Sequence, residues 1–523
     1  MANAMESRRE AAEFDTEFER LRERVTLADD SRESIPVVAP FTGEQVGTIP
    51  AGTEADVDEA VERARAAGEQ WAERSPEERA AVVDEFHDLV LDRQDELLDV
   101  IQTETGKARL DAFEEVLDVA STARYYVERG PGLLTPTRRE GAIPLATRTE
   151  VRHHPVGVVG IISPWNYPLA LSISDAIPAL IAGNGVVFKT AAETSVTALK
   201  ALELLEEAGL PADLCQVVTG RGSELGEPLI DRVDYLTFTG STETGRTVAA
   251  QAGRNLIDCS LELGGKNPML ILDDADVDVA VQGAIDGSFT NAGQLCLSAE
   301  RIYVHETVAD AFTERFVAET ETLHLGVGYD WKTDVGSLTS EAHLEKVEAH
   351  VEDAVDAGAT VLAGGEARPD VGPYVFEPTI LTDVPESAEL YREETFGPVV
   401  SIYEVGSVEE AIEKANDTEY GLNASVFTQD SILGREVAQQ IEAGTVGIND
   451  AYGASYGSVD APMGGRKQSG VGRRHGSEGL LKYTEAQTIA EQRTGPVAPP
   501  EPLPHEWYAR LMTGLMRVLK RIS

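Results

Sequence analysis

Glu262 and Cys296 are the residues of this chain best placed, by type and surroundings, to do chemistry. Glu262 sits in Leu261-Glu262-Leu-Gly-Gly-Lys266, a lone carboxylate beside two glycines. Cys296 closes Asn291-Ala-Gly-Gln-Leu-Cys296, 34 positions further on (296 − 262). A thiolate attacks a carbonyl carbon, and a carboxylate activates the water that later releases an acyl group. A free cysteine is more often a small buried hydrophobe, and Cys215 and Cys259, in or beside strand-like runs, read that way. Cys296 differs because Gly293-Gln294 and Ser298 around it are polar and turn-like.

Four other stretches carry chemistry. Asp234-Tyr-Leu-Thr-Phe-Thr-Gly240-Ser-Thr-Glu-Thr-Gly245 reads as strand, glycine turn and helix start. Such a turn offers backbone N–H groups and the positive end of a helix to a pyrophosphate. It is not GxGxxG, and where a phosphate loop needs Lys it has Arg246. Phe188-Lys189 ends an expected strand, where open α/β sheets place ligands; a surface lysine is the plain alternative. Asn166 in Pro164-Trp-Asn166 is an amide donor for an oxyanion or an ordinary turn residue. Glu394-Thr-Phe-Gly-Pro398 says little by itself.

Together these stretches, from Phe41 to about Thr488, resemble the aldehyde dehydrogenase superfamily in motif content and order. The resemblance implies an α/β fold with two doubly wound domains and a small β element for oligomerisation. It makes Cys296 the nucleophile, Glu262 the base for deacylation, and Asn166 with the Cys296 N–H the oxyanion donors. It gives the cofactor, NAD or NADP, to Trp165, Lys189, Ala192, Gly220, Gly240, Ser241, Glu394 and Phe396. Many relatives that prefer NAD carry a Glu three positions after the lysine; Ala192 stands there, with Glu193 next to it, which leans the expectation toward NADP.

Gly141-Ala-Ile-Pro144, Pro164 to Leu169 and Ser260 to Leu270 look closest to a bacterial branch of succinate-semialdehyde dehydrogenases. Better-known members of that branch hold the substrate carboxylate with two arginines, at positions that are Ser174 and Thr290 here. Arg466, in Gly464-Gly-Arg-Lys-Gln-Ser-Gly470, is the expected substitute, and neutral aldehydes are the alternative substrates. Retention of Glu262 argues against relatives that pass the acyl group to coenzyme A. A non-catalytic scaffold is the remote alternative, disfavoured because Cys296 and Glu262 are both present. With Ser298 in place of a second loop cysteine, no disulfide switching is expected, and no metal site is expected.

These residues need a frame. From about Asp56 to Arg129 the pattern is helical. Val156 to Ile162, Gly185 to Lys189, Cys215 to Val218 and Tyr235 to Thr239 read as strands. Leu169 to Ala182, Thr194 to Ala208 and Thr242 to Ala252 read as the helices between them. This alternation implies a parallel sheet covered by helices. The expected division is an N-terminal segment 1–35, a cofactor domain 36–133 and 157–262, oligomerisation strands 134–156 and 481–493, a catalytic domain 263–480, and a tail 494–523. The tail reads as a Pro-rich linker, Thr494 to Pro504, then a basic amphipathic helix. Trp507, Tyr508, Leu511, Met512, Leu515, Leu519 and Ile522 share one face, opposite Arg510, Arg517 and Arg521.

Composition bounds the partners. With 44 Lys and Arg against 91 Asp and Glu the net charge is −47, which disfavours nucleic-acid binding. The acid excess is spread along the chain and Arg outnumbers Lys, a pattern read as adaptation to high salt. Three cysteines and a charged N-terminus without a signal-like apolar segment point to a reducing cytoplasm. The tail helix is expected to dock on an acidic neighbouring surface, with an anionic membrane surface as the less favoured partner. The resemblance implies a homodimer or homotetramer.

Overall fold

The computed structural model describes residues 17–29, 33–142, 146–493 and 498–522. Parts of the Gly141–Pro144 motif, of the N-terminal segment and of the Pro-rich linker lie outside the described residues. Two compact units form: residues 1–133 with 155–484, and residues 134–154 with 485–523.

The first unit contains two sheets. Strands β1 (Ser34–Ala39) and β2 (Glu44–Pro50) form a hairpin at its start. Four helices follow: Glu54–Ala72, Pro76–Asp92, Gln94–Thr105 and Arg109–Leu134. The expected helical region is therefore broken in several places, and local sequence explains one break. Ser75-Pro76-Glu-Glu78 forms a capping box: the Glu78 N–H donates to Ser75 Oγ (3.2 Å) and the Ser75 N–H to Glu78 Oε2 (2.8 Å), with Pro76 at the first helical position. Trp71, fully buried, ties the first of these helices to the helix Ala170–Ala182 by donating from Nε1 to the Leu180 carbonyl at 2.8 Å.

The first sheet is built from β5 (Val158–Ile162), β6 (Gly185–Lys189), β7 (Cys215–Val218), β8 (Tyr235–Thr239), β9 (Asp258–Glu262) and the short β17 (Gly470–Val471). Its order is β17-β9-β8-β5-β6-β7. All neighbours are parallel except β17, which runs antiparallel to β9. A segment expected in the catalytic domain thus returns to edge the other sheet. Strands β6, β7 and β8 are buried end to end, which is why they read as largely apolar runs rather than alternating ones.

The second sheet has seven strands. It contains β10 (Asn267–Ile271), β11 (Ala299–His305), β12 (Thr360–Ala363), β13 (Thr379–Thr382), β14 (Val399–Val405), β15 (Asn423–Phe427) and β16 (Thr445–Ile448), ordered β12-β13-β14-β11-β10-β15-β16. Only its edge strand β12 is antiparallel to its neighbour. Phe289, Phe312 and Phe316 stack in the core on one side of it.

The second unit is a three-stranded sheet of β3 (Thr137–Arg139), β4 (Thr147–Pro155) and β18 (Thr484–Gln492), ordered β18-β4-β3, followed by a helix, His505–Ile522. On that helix Trp507 and Leu511 are 63% and 64% exposed. Among the described residues no helix is long and apolar enough to cross a membrane.

Candidate active site

The motif residues of the first half sit where its strands end. Ser163 to Asn166 follow β5, Lys189 closes β6, Gly220 follows β7, Gly240 and Ser241 follow β8, and Glu262 closes β9. Carboxyl ends of a parallel sheet are where its loops can gather around a ligand. The second sheet meets them with its opposite edge, since Cys296 precedes β11 and Glu394 with Phe396 precedes β14.

Glycine makes this convergence possible at two points. A Cβ on Gly293 would lie 2.0 Å from the Gly397 carbonyl oxygen, and its φ of +69° is unfavourable for other residues. Gly265 packs so closely that a Cβ would meet the Cys296 carbonyl oxygen at 2.8 Å. Polar side chains then fix the loop. Asn267 Nδ2 donates to the carbonyls of Cys296 and Ser298, both at 2.8 Å, and Gln294 Nε2 donates to the Asn291 carbonyl at 3.0 Å. Asn291 and Ala292 are both left-handed, each with φ of +52°, so the loop carries strain that these contacts must hold.

Cys296, Glu262 and Asn166 line one cavity of about 320 Å³. Its walls are largely apolar, with Leu171, Leu295, Leu297 and Met463, and Tyr452 and Tyr456 face it as well. Burial pushes the Cys296 thiol up to about 12, with Glu394 and Glu262 adding to the effect and Arg474 opposing it. The sulfur therefore holds its proton at neutral pH in this state. Both carboxylate oxygens of Glu262 are buried without a hydrogen bond. Burial raises its pKa well above the carboxylate range, against the pull of Arg474 and Lys482. A carboxyl in that condition exchanges a proton near neutral pH.

Asn166 is held from behind. Its Nδ2 donates to the Gln294 carbonyl at 3.0 Å, and its own carbonyl accepts from Lys107 Nζ at 2.6 Å and from Asn291 Nδ2 at 3.3 Å. Lys107 also pairs with Glu115 at 2.7 Å and lies 3.8 Å from the centre of the Tyr167 ring. The other Glu115 oxygen accepts the N–H groups of Leu169 and Ala170 at 2.8 and 3.0 Å. This buried ion pair was not visible in the sequence, where Lys107 and Glu115 look like surface charges.

The expected cofactor residues are set out along the strand ends. Lys189 is buried, which lowers its pKa, and its acidic neighbour is the exposed Glu193 rather than a residue at 192. A Cβ on Gly222 would still stand 3.8 Å from Lys189 Nζ, so there is room beside the ammonium. Ser241 caps the helix Thr242–Asn255 by accepting the Thr244 N–H. Trp165 and Phe396 pack edge to face at 5.7 Å. Glu394 accepts the Gly265 N–H at 2.8 Å, and burial beside Glu300 raises it to about 7. The buried Lys266–Glu300 pair steadies that loop, because Glu300 accepts the N–H groups of Thr395 and Phe396 at 3.0–3.1 Å. The donors fit a dinucleotide: a buried ammonium, a capped helix start, an aromatic pair and a carboxyl follow one another along one edge.

The three residues expected to choose the substrate are not brought together. Ser174 donates its hydroxyl to Asp118 Oδ2 at 2.5 Å, and Thr290 donates to the Asp286 carbonyl at 2.8 Å; neither lines the cavity. Arg466 does not take the expected place: it is exposed and does not line the cavity, and its backbone N–H donates to the Gly421 carbonyl at 2.8 Å. The arginine that does line the cavity is Arg474, 3% exposed, whose backbone pairs with that of Met463 in both directions (2.7 and 2.9 Å).

A thiol, a buried carboxyl and an amide donor in one cavity, beside strand ends with room for a dinucleotide, are groups that suit a dehydrogenase working through a covalent thioester. Comparison with known proteins agrees. Residues 27–489 match the model of the aldehyde dehydrogenase family. A Mycolicibacterium smegmatis protein provisionally named succinate-semialdehyde dehydrogenase [NADP(+)] is 52% identical over 507 residues, 97% of this chain and 98% of that protein. Glutarate-semialdehyde dehydrogenase of Pseudomonas putida is 39% identical over 465 residues, 88% and 95% of the two chains. Among solved structures, betaine aldehyde dehydrogenase of Staphylococcus aureus in complex with NAD+ aligns with a TM-score of 0.86 at 33% identity, over 93% of this chain and 99% of its own. The chain belongs to the aldehyde dehydrogenase family.

Proposed function

We propose that this enzyme oxidises succinate semialdehyde to succinate with NADP or NAD. The observation that carries the chemistry is the shared cavity of Cys296, Glu262 and Asn166. The Cys296 thiol passes its proton to solvent water and its sulfur bonds to the aldehyde carbon as the C=O π pair moves to oxygen, making a thiohemiacetal oxyanion. Asn166 Nδ2–H and the Cys296 N–H donate to the oxyanion. Trp165, Lys189, Ala192, Gly220, Gly240, Ser241, Glu394 and Phe396 would hold the cofactor, which when bound would supply the oxidising power as a hydride acceptor. Glu262 takes a proton from water, the water oxygen bonds to the thioester carbon, and the C–S bond breaks to return the thiol and release the acid.

The substrate rests on relatives that carry semialdehyde names and on stretches of similar sequence. The apolar walls of the cavity favour a second reading, broad specificity for neutral aldehydes. Ala192 in place of an acid, with Glu193 exposed beside Lys189, supports use of NADP. The proposed setting is the cytoplasm of a halophile, with the enzyme a homodimer or homotetramer paired through β4 and β18. The tail helix, with exposed apolar residues such as Trp507 and Leu511 on one face and Arg510, Arg517 and Arg521 on the other, sits on an otherwise acidic chain, which supports docking on an acidic surface of a second copy over an anionic membrane. The proposed division into a cofactor part, 36–133 with 157–262, and a catalytic part, 263–480, follows the two sheets apart from β17. A scaffold role is unsupported by the completeness of the site.

The test is cofactor reduction in molar KCl with succinate semialdehyde and butanal, each with NAD and NADP. A clear advantage in kcat/KM for the charged aldehyde supports the assignment. Equal or better use of butanal makes the enzyme a general aldehyde dehydrogenase.

A further inference from the structure

We propose that Arg474 is the specificity-determining residue that receives the far carboxylate of the semialdehyde, the role expected of arginines at positions 174 and 290. The inference rests on the substrate reading above and adds the residue that makes it work. Among the described residues lining the cavity, Arg474 is the one Lys or Arg. Lys107 does not line it, and its ammonium is already spent on Glu115, the Asn166 carbonyl and the Tyr167 ring. Arg473 and Lys482 do not line it either; Arg473 Nη1 donates to the carbonyls of Gly465 and Gly472.

Arg474 is different. Its guanidinium is buried, and Nη2 has no hydrogen-bond acceptor although Asp175 Oδ2 stands 3.3 Å away. Asp175 is shared: Lys482 Nζ lies 3.4 Å from its Oδ1, so two cations face one carboxylate. Arg474 belongs to the wall of the cavity that also holds Cys296, and a planar guanidinium fork is the group that binds a carboxylate best.

Besides Glu262, and Glu115 whose charge is paired with Lys107, two further acids line the same cavity. Glu114 accepts the Tyr452 hydroxyl at 3.2 Å and Asp118 accepts that of Ser174. Burial raises them to about 7 and about 6, so each can take up a proton when a third carboxylate enters beside Arg474. A neutral aldehyde makes no such demand.

The experiment compares kcat/KM for succinate semialdehyde and for butanal in the wild type, R474Q and R474K. The ratio of the two cancels any effect Arg474 has on Glu262 or Cys296, which both substrates share. The wild type must first prefer the semialdehyde; if it does not, the substrate reading fails before Arg474 is tested. Given that preference, R474Q should lower the ratio about tenfold to a hundredfold, the worth of a charged hydrogen bond, through KM for the semialdehyde. R474K, which keeps the charge and loses the fork, should recover part of it. Should R474Q fail to fold, R474K carries the test, with a ratio at least about threefold below wild type. An unchanged ratio in the folded variant, with only the pH profile moved for both aldehydes, would overturn the proposal and make Arg474 a neighbour of Glu262 alone.

Discussion

Replacing Lys107 by Met tests how the oxyanion donor is held. In the native protein Lys107 Nζ binds Glu115 at 2.7 Å and the Asn166 carbonyl at 2.6 Å, with neither partner side chain exposed to water. Removing one member of a buried pair costs about 3–5 kcal/mol, because the other charge is left without compensation. Glu115 is not wholly abandoned, since Leu169 and Ala170 still donate to it. It can also take a proton. Burial already raises its pKa and Lys107 pulls it down, so losing Lys107 raises it further. A carboxyl whose folded pKa exceeds its unfolded value binds more protons when folded, so stability falls as pH rises through that interval. The K107M penalty should therefore be greater at about pH 8 than at about pH 6. Adding E115Q should recover about half of it, the pairwise part of the loss. Asn166 meanwhile keeps only the 3.3 Å contact from Asn291 on its carbonyl, and kcat should fall about tenfold or more as the donor shifts. Urea-induced loss of activity and of Trp fluorescence in molar KCl, at both pH values, gives the midpoints. A K107M midpoint equal to wild type at both, or a larger penalty at low pH, would refute the reasoning.

Other outcomes follow from the same geometry. G293A puts a methyl group 2.0 Å from the Gly397 carbonyl and should lower kcat by about a hundredfold while the protein stays folded, measured by turnover against circular dichroism. Without cofactor, alkylation of Cys296 by iodoacetamide should keep rising with pH and show no plateau in the neutral range, because burial and two carboxylates hold the thiol protonated; a plateau below about pH 8 contradicts this. The acid limb of steady-state kcat should lie well above the ordinary Glu value of about 4.3, since Glu262 must lose its proton to act as a base and burial raises its pKa. E262Q should abolish that limb. Lowering KCl to millimolar levels should destabilise the protein as its charge of −47 becomes unscreened, seen as a fall in melting temperature.

Much of this frame was readable before any coordinates. Gly185–Lys189, Cys215–Val218 and Tyr235–Thr239 begin and end where their apolar runs do, because each is a buried strand closed by a turn. The placement of Lys189 and Gly240 at strand ends follows from that, whereas the strand that Glu262 closes, Asp258–Glu262, was not read from the sequence. What could not be read was which charges turn inward. Lys107, Glu115, Lys266, Glu300 and Asp175 look like surface residues, and each is buried only because a partner distant in sequence meets it. Arg466 and Arg474 lie in the same glycine-rich stretch, where no periodicity separates them. Tertiary placement separates them: the backbone of Arg474 pairs with that of Met463, a cavity residue, whereas Arg466 bonds to Gly421 and is exposed.

The most direct test of the account is a single turnover of E262Q with succinate semialdehyde and NADP, followed by intact-protein mass and peptide mapping. The account predicts about one equivalent of reduced cofactor per subunit, then near arrest, with an acyl group on Cys296 and none on Cys215 or Cys259. Sustained turnover with no adduct, or an adduct elsewhere, would contradict the assignment of Cys296 as nucleophile and Glu262 as the base that frees it.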